Sequence, residues 1–363
     1  RAGRTALSME TIYGLLTGSR AEREEALARA GEILRDGGLV AFPTETVYGL
    51  GGNALSAAAA EKIYAAKGRP SDNPLIVHIA RFEEMEPLVR EIPESAEKLA
   101  AAFWPGPLTM ILPKSEVVPR ETSGGLDTVA IRLPLDPNAR ALIQAAGLPI
   151  AAPSANTSGR PSPTSARHVA EDLGGKIDMI LDGGAVAVGL ESTIVDLTGS
   201  VPALLRPGAI TPEMLEGVLG KIEFDPVLTK PLTPDMHPKA PGMKYRHYAP
   251  RAEMFLVDGT QAAVIRKINA CAAVAKADGK KVGILASAEN VDAYRADAVL
   301  CLGERAKPAE IAHNLFAALR EMDARAVDVI YAEAFPESGV GLAIMNRMNK
   351  AAGHHYLHAE EER

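Results

Sequence analysis

The sequence has little cysteine and no long apolar run. Its two cysteines, Cys271 and Cys301, lie far apart without the spacing of a metal site. This pattern argues against a disulfide framework and predicts two buried free thiols, as in a cytoplasmic protein. No apolar run reaches the roughly 18 residues that a membrane span needs. The first ten residues carry two arginines without a following apolar stretch, which predicts no signal peptide.

Familiar motifs of nucleotide and metal enzymes are missing as well. The sequence contains no GxxxxGK[ST] phosphate loop, no HExxH zinc motif and no CxxC pair. The formal net charge is −7 and the pI is near 5.7. This acidic balance argues against broad, phosphate-driven binding of nucleic acid, although it allows a local basic cleft.

What the sequence does have is ample length and two differently patterned parts. Its 363 residues, 47% hydrophobic and 23% charged, predict a globular chain of two domains. Residues 10–222 mix strands and helices irregularly, which predicts an α/β domain with a twisted sheet of mixed direction. Residues 253–363 alternate strand and helix, which predicts a small parallel, Rossmann-like α/β domain. Between them, residues 223–252 are proline-rich and predict an extended linker.

The first domain is organised around residues 38–80. An apolar strand ends at Pro43 and is followed by the polar loop residues 44–46, a cluster of glycines and an alanine-rich helix. Lys67 and Arg69 stand at the end of this helix, before a second strand that carries His78. Two such cations could clamp a triphosphate, or they could be solvated charges favoured by the helix dipole.

Further candidate residues lie in or after later strands. Ser154 and Asn156 follow a short buried strand, where they could bind a ligand or simply form a turn. Arg132 interrupts an apolar strand and requires an anion, either the carboxylate of a ligand or a structural partner such as Asp127 or Glu191. The patterns leave these alternatives open, as they do for His78, which could equally be a satisfied core histidine.

Seven motifs, taken in order, cover nearly the whole chain and resemble the YrdC-like family of threonylcarbamoyl-AMP synthases in its longer, two-domain form. They are PTETVYGL with KGRPSDNPL, then WPGPLT, DTVAIRLP, APSAN, ESTIVD, LLRPG and the late PGMKYRHYAP. The resemblance implies a YrdC-like sheet, an interdomain linker and a second α/β domain. Tyr245, Arg246 and Tyr248 of the linker could fold over the active site as a lid that excludes water, or they could be an exposed linker motif.

The resemblance also implies roles for individual residues. Lys67 and Arg69 are the expected catalytic residues. The expected ATP-binding residues are Lys67, Arg69, Asn73, Thr128, Ser154, Asn156, Ser162, Arg206, Tyr245 and Tyr248. The expected threonine-binding residues are Thr46, His78, Arg132, Ala152 and Ser192. No protein-bound metal is expected, and Mg²⁺ would be carried with ATP.

The implied activity is that of a nucleotidyltransferase. L-Threonine, bicarbonate or CO₂, and ATP would give L-threonylcarbamoyladenylate and pyrophosphate, the first step of the threonylcarbamoyladenosine modification of tRNA. A separate transferase complex would receive the intermediate, so that tRNA is involved only indirectly and no membrane is involved. Two alternatives are an RNA-binding module of the same fold and a carbamoyl-adenylating enzyme. The acidic balance counts against the first, and the lack of cysteine pairs counts against the second.

Overall fold

The computed structural model describes residues 9–228, 235–244 and 246–360, and these residues form two sheets. The strands of the larger sheet are, in chain order, β1 (Ile12–Leu15), β2 (Val40–Pro43), β3 (Tyr48–Asn53), β4 (Ile76–His78), β5 (Leu108–Pro113), β6 (Thr128–Arg132), β7 (Ile150–Ala151), β8 (Met179–Asp182), β9 (Thr193–Asp196), β10 (Ala203–Arg206) and β11 (Glu223–Phe224). The accompanying helices are α1 (Arg20–Arg35), α2 (Ala57–Lys67), α3 (Glu94–Phe103), α4 (Pro137–Ala146), α5 (Ala166–Leu173) and α6 (Pro212–Leu219).

The larger sheet has mixed strand directions. Its order is β1-β8-β2-β3-β7-β4-β6-β5-β9-β10-β11. β2 runs antiparallel to β3, whereas β4 and β6 are parallel and place His78 opposite Arg132. The predicted mixed α/β sheet is therefore confirmed. β11 pairs with β10 inside the range predicted as linker, so the sheet continues slightly beyond residue 222.

The glycine cluster after Tyr48 was expected in a loop, and this expectation is wrong. These residues form β3, which pairs with β2 in a hairpin that places Pro43 opposite Tyr48. Glycine disfavours strands in general, so the pattern concealed this one. Close packing accounts for the small residues, because a Cβ atom at Gly51 would lie 2.9 Å from the side chains of Ile150 and Phe42.

Helix α2 begins and ends where the sequence predicts. The Ser56 hydroxyl accepts a hydrogen bond from the Ala59 N–H at the N-terminus. Gly68 ends the helix with φ of 65°, a conformation that glycine adopts without a steric cost. Lys67 is therefore the last helical residue, and Arg69 lies one residue beyond the turn.

The smaller sheet is entirely parallel. Its strands are β12 (Glu253–Asp258), β13 (Val282–Ser287), β14 (Ala298–Gly303), β15 (Val329–Glu333) and β16 (Tyr356–His358), and its helices are α7 (Gln261–Ala277), α8 (Pro308–Ala324) and α9 (Val340–Ala351). The predicted parallel α/β domain is confirmed. Its strand order, β14-β13-β15-β12-β16, departs from the classic Rossmann order because β15 lies between β12 and β13.

The second domain packs on the first through α8 and α9. Apolar residues of these two helices share one buried cluster with Val47, Leu190 and Tyr248. Two ion pairs cross the same interface, Arg320 with Asp172 at 2.8 Å and Arg160 with Asp323 at 2.8 Å. The second domain is therefore directly joined to loops of the first.

The predicted linker does more than span a distance. Its start, Pro226–Leu228, forms a short 3₁₀ helix. Further along, Ala240 and Met243 are buried against apolar side chains of β4, β5, β6, β9 and β10. The linker therefore covers one face of the larger sheet.

The two cysteines are unpaired, as predicted, but their predicted burial is wrong. Cys271 on α7 is half-buried, and Cys301 on β14 is exposed. None of the described helices combines the length and the apolarity that a membrane crossing requires.

Candidate active site

A narrow cavity lies between the β2–β3 hairpin loop, the ends of β4 and β6, the segment after β7, and the linker. All five residues predicted for threonine line it, namely Thr46, His78, Arg132, Ala152 and Ser192. Four of the residues predicted for ATP also line it, namely Arg69, Ser154, Arg206 and Tyr248. The fold thus brings together residues that are up to about 200 positions apart in the sequence.

Arg132 is a buried cation of the cavity whose side chain is held by several contacts. Its guanidinium is buried and forms an ion pair with Glu45. It also donates to the Thr46 hydroxyl at 2.9 Å and to the Gly106 carbonyl at 3.4 Å. The second oxygen of Glu45 accepts a hydrogen bond of 2.7 Å from the Leu135 N–H. Glu45 therefore fixes the orientation of this arginine.

The structural partners suggested for Arg132 in the sequence are both wrong. Asp127 lies beside Arg120 at 3.5 Å, and Glu191 lies beside Arg347 at 3.3 Å. Sequence reasoning gave Glu45 no role, although it stands next to Thr46 in the loop. The missing information was the hairpin of β2 and β3, which carries this loop to the end of β6.

A guanidinium has five N–H groups, and these contacts use one on each nitrogen of Arg132. One N–H remains on each of the two terminal nitrogens. Burial lowers the pKa of Arg132, while the Glu45 carboxylate opposes this effect. The remaining N–H groups match the two oxygens of a further carboxylate.

His78 is neutral in this site. Burial and the nearby charge of Arg132 lower its pKa to about 3. Its Nδ1–H donates to the Ile76 carbonyl at 3.1 Å, so Nε2 is left as the hydrogen-bond acceptor. The Phe42 ring contacts the imidazole edge-on, with 6.2 Å between ring centroids. The uncharged His78 can therefore accept a hydrogen bond from an N–H or O–H group of a ligand.

Ser192 and Arg206 connect the two sides of the cavity. Ser192 precedes β9, and its hydroxyl lies 2.7 Å from the Thr109 hydroxyl. Arg206, at the end of β10, donates to the Ser192 carbonyl at 2.9 Å and to the Ser192 hydroxyl at 3.2 Å. Burial lowers the pKa of Arg206. This pair places a second guanidinium beside the predicted threonine residues.

Lys67 is buried, so the alternative of a solvated helix-end cation is wrong for it. Its ammonium donates to the Ser154 carbonyl and, at 2.6 Å, to the Asn156 carbonyl. Burial lowers its pKa well below the usual value. Lys67 stands behind the cavity lining and holds the segment that carries Ser154.

Arg69 is buried too, and its guanidinium holds the next loop. It donates to the Asn73 carbonyl at 3.2 Å and to the Pro74 carbonyl at 2.7 Å. Burial lowers its pKa to about 10. The amide oxygens of Asn73 and Asn156 are buried and have no hydrogen-bond partner among the described residues. Because buried polar atoms are usually bonded, these two oxygens are candidate acceptors for a donor group of a ligand, although neither asparagine lines the cavity.

Two of the remaining predicted ATP residues, Ser162 and Thr128, are not among the residues that line the cavity. Ser162 is buried and donates to the Glu191 carboxylate at 3.0 Å. Thr128 begins β6, at the opposite end of the strand from Arg132. Tyr245 lies outside the described residues. The roles of these three residues stay predictions.

The linker closes the cavity on one side, where Pro241, Gly242, His247 and Tyr248 line it. Gly242 has φ of 80°, and a Cβ atom there would lie 2.6 Å from the Tyr248 hydroxyl. The Tyr248 ring packs on His247 and on Phe316 of α8, with centroid distances of 4.0 and 5.3 Å. The lid predicted from the sequence therefore lies over the site in this structure.

The cavity combines three guanidinium groups, several hydroxyls and a neutral histidine. Guanidinium groups of this kind are suited to carboxylates and phosphates. Fold and cavity together define an α/β protein with a cationic cavity of a kind that suits anionic groups.

Comparisons with known proteins agree with this class. A family model described as telomere recombination matches residues 32–208, and a model described as the C-terminal domain of threonylcarbamoyl-AMP synthase matches residues 210–353. The threonylcarbamoyl-AMP synthase of Pyrococcus abyssi is 56% identical over 328 residues, which are 90% of this chain and 94% of that protein. The Bacillus subtilis synthase is 49% identical over 339 residues, which are 93% of this chain and 96% of that protein.

A solved structure supports the same assignment. The structure of P. abyssi Sua5 complexed with L-threonine matches with a TM-score of 0.90 and 52% identity, over 96% of this chain and 99% of that one. The chain belongs to the threonylcarbamoyl-AMP synthase family, in its two-domain form. The resemblance seen in the sequence motifs is confirmed, and the chain is an enzyme of the nucleotidyltransferase type.

Proposed function

We propose that this chain condenses L-threonine, bicarbonate and ATP into L-threonylcarbamoyladenylate and pyrophosphate, the first step of threonylcarbamoyladenosine formation in tRNA. The observation that carries the proposal is the cavity itself, which Arg69, Arg132 and Arg206 line together. These cations suit an amino-acid carboxylate and a chain of phosphates. The threonine complex of the P. abyssi relative supports the amino-acid side.

Threonine occupies the side formed by the hairpin loop, β4 and β6. Its α-carboxylate binds the two remaining N–H groups of Arg132. Its amine and hydroxyl lie near the hydroxyls of Thr46 and Ser192, Nε2 of His78, and the Ala152 backbone, all of which line the cavity. A neutral His78 can accept a hydrogen bond here, whereas a charged one would repel the amine.

ATP occupies the side formed by the end of α2, the segment 152–156 and β10. Arg69 and Arg206 bind phosphate oxygens, Lys67 orients the Ser154 segment, and the amides of Asn73 and Asn156 complete the site. The unpartnered oxygens of both asparagines support this placement. We also place Thr128, Ser162 and Tyr245 toward the nucleotide, as the family motifs imply.

The chemistry requires alignment and charge neutralisation, and no protein nucleophile. The neutral threonine amine adds to CO₂ formed from bicarbonate and becomes a carbamate, while the amine proton and the hydroxide of bicarbonate leave together as water. A carbamate oxygen then forms a bond to the α-phosphorus of ATP as the bond from that phosphorus to the pyrophosphate oxygen breaks and pyrophosphate leaves. Positioning two bound reactants and neutralising the charge on the phosphates can account for such a step. Magnesium bound to the ATP phosphates would supply further positive charge. Among the described residues, no group of three or more His, Cys, Asp or Glu side chains is arranged so that it could hold a metal ion.

The linker protects the product. The mixed anhydride of a carbamate and AMP is open to attack by water. Tyr248 and Gly242 close the cavity from the linker side, which excludes water from the reacting atoms. The product then passes, in the cytoplasm, to a transferase complex that acts on tRNA.

The test is pyrophosphate release from ATP with Mg²⁺, bicarbonate and each amino acid in turn. We expect release with threonine and loss of release when bicarbonate is removed. Release that requires carbamoyl phosphate instead would indicate the carbamoyl-adenylating activity. Tight tRNA binding in moderate salt without any release would contradict the synthase and favour the RNA-binding module.

A further inference from the structure

Helix α9 of the second domain reaches the wall of the cavity through Arg347. This arginine is fully buried, with an exposed fraction of 0%. Its Nε lies 3.3 Å from a carboxylate oxygen of Glu191, and one terminal nitrogen donates to the Glu191 carbonyl at 3.1 Å. The other terminal nitrogen donates to the Pro207 carbonyl at 2.6 Å. One side chain of the second domain therefore holds two segments of the catalytic domain.

Glu191 makes this contact important for the reaction. It lines the cavity and is buried, although the proposed nucleotide carries several negative charges. A buried carboxylate without a cationic partner would repel the phosphates strongly. Ser162 donates one hydrogen bond to it, at 3.0 Å, but supplies no charge. Among the described residues, Arg347 is the ion-pair partner observed for Glu191, and the guanidinium of Arg206, which donates to Ser192, is a second and weaker positive influence on the same carboxylate.

The same helix also holds the lid. The Lys350 ammonium donates to the Gly242 carbonyl, and the Lys350 carbonyl accepts a hydrogen bond of 3.2 Å from the His247 N–H. The Arg347 guanidinium also lies 5.8 Å from the centre of the Tyr248 ring. Helix α9 of the second domain therefore contacts both the cavity wall at Glu191 and the lid at Gly242 and His247.

We propose that Arg347 is a positioning residue of the synthase reaction, supplied by the second domain, which neutralises Glu191 so that the nucleoside triphosphate can bind. The inference rests on the proposed function. It gives the second domain a defined part in the active site, because the ion pair is complete only when α9 is docked.

The test compares Arg347→Met with the double variant Arg347→Met/Glu191→Gln. The single variant removes the ion-pair partner of Glu191 and leaves only the weaker influence of Arg206, so we expect KM for ATP to rise about tenfold or more. The double variant removes both charges and should recover most of that loss. KM for threonine should change by less than about threefold in either variant, since neither Arg132 nor its partner is altered. A double variant no better than the single one would overturn the proposal.

Asp323→Asn is the matched control at the same interface. It removes the ion pair with Arg160 but keeps an oxygen that can accept the hydrogen bond from the Arg251 N–H. It does not contact Glu191, and its one hydrogen bond to the linker, from the Arg251 N–H, is kept, so KM for ATP should stay at the parent value. An equal rise in this control would show that domain docking in general, and not the charge of Glu191, is responsible.

Two further variants decide the matter if Arg347→Met does not fold. Arg347→Lys keeps the charge and should retain a KM for ATP closer to the parent than any neutral replacement that folds. Glu191→Gln with Arg347 intact should not raise KM for ATP, because it removes a negative charge from the nucleotide side. A clear rise in the latter would mean that ATP needs the carboxylate, which would overturn the proposal. Pyrophosphate release by the parent is established first, so a failure of the proposed function is recognised separately.

Discussion

The two sides of the cavity differ in how ready they are for a ligand. On the amino-acid side, Arg132 is held by Glu45, Thr46 and a backbone carbonyl, and each of its terminal nitrogens has one N–H to spare. On the nucleotide side, Lys67 and Arg69 donate to backbone carbonyls, and two asparagine oxygens have no partner among the described residues. The amino-acid side is therefore preformed. On the nucleotide side, the cations donate their hydrogen bonds to the protein's own carbonyl groups until a ligand binds.

This difference follows from the elements that carry each side. His78 and Arg132 end neighbouring parallel strands, so the sheet itself fixes their separation. Lys67 and Arg69 flank a helix end, and their partners lie in loops. Loops can shift to release a carbonyl, whereas a central strand cannot move without breaking its hydrogen bonds. We therefore expect threonine to bind to a rigid site, and we expect ATP binding to change the conformation of the loops around the nucleotide site.

The largest expected effect comes from Arg132→Gln. This change removes the proposed carboxylate-binding group and leaves Glu45 buried without its partner. We expect KM for threonine to rise about 100-fold, because losing one member of a buried charge pair costs about 2–5 kcal/mol. Steady-state pyrophosphate release measured against threonine concentration checks this.

Arg120→Gln is the control for that variant. It removes another arginine–carboxylate pair, that of Arg120 with Asp127, in which both side chains are largely exposed. Its effect on stability should stay below about 1 kcal/mol. An unchanged threonine titration in Arg132→Gln, or an equal rise in the control, would remove Arg132 from the carboxylate site.

Changes on the nucleotide side should affect ATP and spare threonine. We expect Lys67→Met and Arg69→Gln each to raise KM for ATP by about 10- to 100-fold, since a charge-assisted hydrogen bond contributes about 1.5–3 kcal/mol. Lys62→Met, which alters an exposed lysine of the same helix α2, is the control and should behave as the parent. Parent-like kinetics in both Lys67→Met and Arg69→Gln would refute the proposed binding of phosphate by Arg69 and the proposed support of the Ser154 segment by Lys67.

Glu45→Gln tests the amino-acid side by removing the protein's own carboxylate partner of Arg132. Without Glu45, Arg132 has no anionic partner until threonine binds, so the ligand-free protein should lose about 1–3 kcal/mol of stability. Added threonine then supplies the missing carboxylate. We expect threonine to raise the melting temperature more in Glu45→Gln than in the parent. An equal or smaller shift would mean that the ligand carboxylate binds elsewhere.

The smallest effect concerns His78 and pH. Its pKa is about 3 in the folded protein and about 6.5 when unfolded. Between these values the unfolded chain binds a proton that the folded state refuses, so His78 costs stability as the pH falls below 6.5. From pH 7.5 to 5.5 the parent should lose about 1 kcal/mol more than His78→Gln, measured by urea unfolding. Parallel losses in the two proteins would place a charged or solvated histidine at this position.

Much of this site could be predicted from the sequence. Arg132 and Lys67 stood out because a cation in an apolar strand, or paired at a helix end, requires an explanation in charge. Glu45 and Arg347 did not stand out, since their importance depends on which distant anion or cation they meet. The burial of Lys67 was equally hidden, because a helix end gives no sign of the loop that packs over it.

In each of the two sheets, some features could be predicted from the sequence and others could not. Alternating patterns identified the parallel second domain, yet no local pattern records the place of β15 between β12 and β13. In the first domain, the glycines of β3 concealed a strand that lies at the centre of the sheet. Local propensity failed where close packing required the absence of a side chain.

The most direct test of a preformed amino-acid side is calorimetric titration of threonine into the protein without nucleotide. We expect the parent to bind threonine in the absence of ATP, Lys67→Met to bind it with the same affinity, and Arg132→Gln to show no measurable binding. The claim that the cavity has two separate sides would be contradicted by either of two results. One is threonine binding that appears only after ATP is added, and the other is threonine binding that Lys67→Met weakens as much as Arg132→Gln does.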